Sequence, residues 1–145
     1  MKTAIRYSII VLTALATLAL YACTPAQDLS AVKQAESFID IGVATSQAVV
    51  AAVVTDANER AQVSAIINRV SDANQAAERI TAGLSVLDTS SKAKILASIQ
   101  PVLDEITTDV QNGALPISNP NVKQRVELVL AGVRAALAVL VNHVT

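Results

Sequence analysis

Residues 56–87, DANERAQVSAIINRVSDANQAAERITAGLSVL, carry the pattern on which the fold turns. Val63, Ile66, Val70, Ala73, Ala77, Ile80, Leu84 and Leu87 recur at alternating intervals of three and four. That spacing sets one apolar side chain on each successive turn of a single helix face. Arg60, Asn68, Arg69, Asp72, Gln75, Glu78 and Arg79 fill the other faces. So narrow a seam suits coiled-coil-like packing in an antiparallel hairpin. Asp56, with Glu59 three residues later, is an N-cap and N3 pair of the capping-box kind. The helix therefore starts there, and the chain turns near Thr55.

Working outward, a first helix is expected from about Asp28 to Val54. Its stripe runs Val32, Ala35, Ile39, Gly42 or Val43, Ser46, Val49 or Val50, and Val53. The small members Ala35, Gly42 and Ser46 leave room for a neighbouring helix to come close. Val49 to Val54 alone would suit a buried strand, but the helical stripe favours helix. Downstream, Asp88-Thr89-Ser90-Ser91 breaks the second stripe and caps a third helix bearing Ile95, Ile99, Val102, Ile106 and Val110. Pro101 either kinks that helix or divides it at Gln100. Asn112-Gly113 reads as its C-cap.

Ala114 to Ser118 forms a crossover, and Asn119-Pro120 opens the last helix as N-cap and N1. That helix, about Pro120 to Val144, carries Val122, Val126, Val129, Val133, Ala136 and Leu140, broadened by Leu130, Leu137, Val141 and Val144. It reads as the central, most enclosed helix. The expected fold is all-α: an antiparallel bundle of about four helices over residues 28–145.

The N-terminus has a different character. Lys2 and Arg6 precede an apolar run from Ile9 to Leu20, broken only by Thr13 and Thr17, and Ala22 is a small residue at a cleavage position. This is the layout of a secretory signal peptide over residues 1–22. The run falls short of the ~20 residues of a spanning helix, although extending it from Tyr7 to Ala22 keeps an uncleaved anchor in play. Leu20-Tyr21-Ala22-Cys23 resembles the lipobox of bacterial lipoproteins, with a bulkier residue than usual at Tyr21. The resemblance implies that Cys23, the sole cysteine, is lipidated and begins the mature chain. Residues 23–27 would then be the lipidated cysteine and a short tether. Acylation also accounts for an unpaired cysteine in an oxidising compartment.

In layout the whole chain resembles the small helical lipoproteins of bacteria and their phages. That implies a periplasm-facing domain held to the membrane, with phage roles such as superinfection exclusion or help in lysis. Thr24, rather than an aspartate, after the cysteine resembles lipoproteins sorted to the outer membrane.

Without residues 1–22 the chain loses two basic residues, leaving nine against twelve acidic ones, a formal charge of −3. Such a balance argues against nucleic acid as a partner. Both tyrosines and the methionine also go, so Phe38 is the only aromatic residue remaining. Aromatic side chains dominate binding hot spots and line most ligand pockets. The composition therefore favours a non-catalytic structural or interaction module, partnered by the bilayer and by an envelope protein or a second copy. The alternative is a carrier or chaperone whose helices part around an apolar ligand, motivated by Val49–Val54 and Leu128–Val141.

Catalytic material is sparse. His143, the only histidine, lies near the C-terminus, and Asp104, Glu105 and Asp109 are the densest carboxylates. Glu105 and Asp109, one helical turn apart, could hold a hard cation only weakly, since calcium takes six to eight oxygens and no Asp/Asn/Gly loop supplies the remainder. No phosphate loop or Cys/His metal pattern occurs. No catalytic residue, metal or cofactor is expected. The remaining candidate site is the last helix's surplus apolar face, with Leu130, Arg134, Leu137 and Val141 as an interface. Buried, Arg134 would instead need an acceptor such as Asp104, Glu105 or Asp109.

Overall fold

The structure, a computed structural model, describes residues 25–145. The expected signal peptide and Cys23 lie outside the described residues. Four helices follow in order: α1 Pro25–Val53, α2 Ala57–Thr81, α3 Thr89–Gln111 and α4 Pro120–Val144. No strand occurs among the described residues. The helix α1 begins within the expected tether, Pro25 supplying a fixed φ suited to a first helical turn.

Contacts between helices run α1 to α2, α2 to α3, α3 to α4 and α4 back to α1, closing a four-cornered bundle. Cross-links show the antiparallel order. Gln47 meets Asn68 near the α1–α2 turn, while Glu36 meets Thr81 at the far end. Between α1 and α4, Gly42 faces Val133 and Asp28 faces His143. The last helix is thus one corner among four, not a central helix enclosed by the others. Each helix has two main neighbours and keeps an outer face.

Local signals set the helix ends. Asp56 accepts from the Glu59 amide at 2.8 Å and Asp88 from the Ser91 amide at 2.7 Å. Asn119 accepts from the amides of Asn121 and Val122. Glu59 does not turn back to close a capping box. Its carboxylate accepts from the Ser118 amide at 2.9 Å, tying the α3–α4 crossover to the start of α2. Arg60 Nε donates to the Val54 carbonyl at 2.8 Å, serving an orphan acceptor at the end of α1. Gly113 takes φ 61°, and the Ala114 amide returns to the Asp109 carbonyl, the long bond of a Schellman ending.

Helix α2 stops at Thr81, short of the expected Leu87. Leu87 is still buried, but from the connecting loop. Helix α3 runs unbroken through Pro101, which sits exposed on its outer side. The core is aliphatic: Ile39, Ile67, Ile95, Ile99, Ile106, Leu130, Leu137 and Leu140 are among its largest wholly buried side chains.

Candidate functional site

The register of α1 against α2 creates a polar pocket that the apolar stripes did not announce. On α2 the buried set is Val63, Ile66, Ile67, Val70, Asn74, Ala77 and Thr81. Ala73 and Ile80, expected in the seam, are only partly buried. Asn74 and Thr81 follow Val70 at four and eleven residues, so helical periodicity could have flagged them had polar residues been admitted to the stripe. Opposite them, Glu36 is buried one turn after Val32.

The bonds among these groups are specific. Asn74 Nδ2 donates to the Glu36 carbonyl at 3.0 Å and to Asp40 Oδ1 at 2.9 Å, with Glu78 Oε1 at 3.4 Å. Its Oδ1 is buried without a donor. The Thr81 hydroxyl lies 2.9 and 3.1 Å from the two Glu36 oxygens and 3.2 Å from the Glu78 carbonyl. One hydroxyl proton cannot serve all three acceptors. The hydroxyl donates to the Glu36 carboxyl, and the Glu78 carbonyl already accepts from the Ala82 amide at 2.8 Å. Burial pushes the Glu36 carboxyl up to about 7. Thr81 and Lys33 oppose that rise, while Glu78 and Asp40 add to it. The Glu78 carboxyl is raised too, by burial and by its contact with Asp40. Below about pH 7 this arrangement holds a proton at the α1–α2 seam.

The expected carboxylate group on α3 is spoken for. Glu105 forms a two-point ion pair with Arg69, one bond being 3.0 Å from Nε. Asp104 accepts from Gln100 at 2.8 Å. Asp109 is raised by burial and by Glu105. Among the described residues, no three His, Cys, Asp or Glu side chains gather closely enough to hold a metal ion. His143 Nδ1 lies 3.6 Å from Asp28, whose carboxylate also meets Lys92 at 3.4 Å. The histidine thus joins the end of α4 to the start of α1.

Of the four interface candidates on α4, Leu130 and Leu137 have no exposed surface and belong to the core. Val141 is partly buried against it. Arg134 is half-buried, and its Nε is enclosed without a hydrogen-bond partner. Of the acceptors expected for it, Glu105 pairs with Arg69 and Asp104 accepts from Gln100, and Asp109 forms no bond to it.

The outward face of α4 lies elsewhere. Leu128 is 63% exposed, whereas Gly132, Ala135 and Val139, which follow it at helical spacing, are half-buried, Val139 against the core. On α1, Ile41, Thr45, Ala48 and Ala52 make a matching stripe, all exposed, with Ile41 at 51%. Thr45 Oγ1 donates to the Ile41 carbonyl at 2.7 Å, so its hydroxyl is satisfied within the helix. No family model matches the chain, and neither the curated proteins nor the solved structures contain a match.

Proposed function

We propose that the chain is a lipid-anchored bacterial envelope protein, a non-catalytic bundle that works by contact with other proteins. One observation carries the reading. The lipobox-like Leu20-Tyr21-Ala22-Cys23 runs almost directly into a helix that starts at Pro25. The bundle would therefore stand at the membrane surface with hardly any spacer. Support for a non-catalytic role comes from the described ionisable clusters, whose members cap helices, pair across seams or share a buried proton. An outer-membrane address and a phage origin are finer proposals, resting on Thr24 and on the layout of the chain.

Growing expressing cells with an alkyne palmitate tests the anchor. The wild type should take up the tag and lose its signal peptide, and Cys23→Ser should do neither. Normal processing of Cys23→Ser would refute acylation.

A further inference from the structure

The α1–α4 side of the bundle differs from the rest of its surface. No charged side chain occurs in α1 after Asp40, and α4 carries only Arg134 and His143 beyond Glu127. Both helices are long and apolar enough to cross a membrane by length and composition. Yet within the bundle only 28% and 33% of their apolar windows are buried. On α1 several of the remaining apolar residues are exposed, whereas on α4 those from 129 to 141 are buried or half-buried.

Helix geometry locates these residues. Gly42 and Asp28 mark the side of α1 turned to α4, while Glu36, Asp40 and Gln47 mark the side turned to α2. Ile41, Thr45, Ala48 and Ala52 lie at intervals of four, three and four, outward on the α4 side. Leu128, Gly132, Ala135 and Val139 repeat those intervals on α4; Leu128 is exposed and the other three are half-buried, Val139 against the core. Val133 marks the seam to α1 and Lys123 the seam to α3. The two stripes flank one seam, with Ile41 and Leu128 as their exposed large apolar side chains and exposed Arg125 one turn before Leu128.

We propose that this face rests on the lipid bilayer. The inference builds on the anchored reading above and adds an orientation to it. Two observations favour lipid over other occupants. First, α1 begins two residues after Cys23, so the helix bearing half the face also bears the expected anchor. With so little slack, the anchor holds the face at the surface at high effective concentration, and modest apolar contact suffices. Second, the charge distribution fits an anionic surface. The acidic groups of α1 are turned toward α2 or tied at the seam end, and Asp72, Glu78, Asp104, Glu105 and Asp109 sit on α2 and α3. Laying the bundle on its α1–α4 side keeps most of its carboxylates away from lipid phosphates.

The test uses the full acylated chain in vesicles of phosphatidylethanolamine and phosphatidylglycerol. Acylation blocks the Cys23 thiol, so a cysteine introduced elsewhere is the only site for a fluorescent label. Labels at Ala48→Cys and Ala135→Cys should lose most of their emission when the lipids carry brominated acyl chains. Labels at Gln62→Cys and Ala97→Cys, on α2 and α3, should keep theirs. Adding Ile41→Glu and Leu128→Glu, both at exposed positions, should abolish the quenching at Ala48→Cys while the protein still floats with the vesicles. Flotation with equal, weak quenching at all four sites overturns the orientation and leaves the anchor standing. Failure to float, with Cys23 free to react, overturns both. Energy transfer between Ala48 labels on separate chains, independent of lipid, would assign the face to a second copy and overturn the proposal.

Discussion

Helix α1 meets its two neighbours by opposite means. Toward α4 it offers Gly42, and a methyl built there would lie 2.9 Å from Val133 Cγ2. Ala35 and Ser46, both buried, keep that side small, and Ser46 returns its hydroxyl to the Gly42 carbonyl at 2.8 Å. Toward α2 it offers Glu36 and Asp40, answered by Asn74 and Thr81. The first seam depends on shape, the second on a proton. The same helix thus couples an apolar close approach at Gly42 and Val133 with a buried carboxyl at Glu36 whose contribution depends on pH.

The largest effect should come from emptying the shape-dependent half. Leu137 on α4 has no exposed surface. Truncating such a residue removes its transfer energy and leaves a cavity. Leu137→Ala should cost about 3–4 kcal/mol, read by urea unfolding followed by helical circular dichroism. A loss of only a few tenths would show that α4 is loosely packed and the contrast misplaced.

The proton-dependent seam should respond to pH. The Glu36 carboxyl is raised to about 7 from its ordinary 4.5, so the folded state binds its proton more tightly than the unfolded chain. Its stabilising contribution is complete below pH 4.5 and lost as pH rises through 7. The full swing is on the order of 3 kcal/mol, from the free energy equivalent to a pKa shift. Glu36→Gln should be more stable than the wild type at pH 8 and lack this component of the slope. Parallel stability curves for the two proteins would remove the proton from the account.

The smallest effect sharpens the comparison at Gly42. Alanine gains helix propensity worth about 1 kcal/mol over glycine, but its methyl strikes a β-branched neighbour with little freedom to move. Gly42→Ala should therefore cost about 1 kcal/mol net. In a Val133→Ala background the same change should turn stabilising. A sign that stays constant across both backgrounds would mean the helices can separate at no cost.

The caps at Asp56, Asp88 and Asn119 and the glycine ending at Gly113 were legible in the sequence because each depends on residues within a few positions. The four helices and most of their buried faces were legible for the same reason. What escaped depended on how helices meet. Glu36, Asn74 and Thr81 are polar, so a search for apolar stripes passes over them. Only the α1–α2 register makes them neighbours. The end of α2 was missed because Leu84 and Leu87 prolong its spacing, although the loop beyond Thr81 still places Leu87 in the core. On α4, apolar residues surround most of the helix, so the sequence could not say which faced inward. Packing put Leu130 and Leu137 inside and left Leu128 outside.

Asp28 has a mechanical consequence. A load applied to the chain at Pro25 enters the fold one turn before Asp28, whose carboxylate meets Lys92 at the start of α3 and His143 at the end of α4. The force is shared at once among three helices. To draw α1 out of the bundle, a pull from this end must break those ties and slide Gly42 past Val133, a shearing motion along the seam.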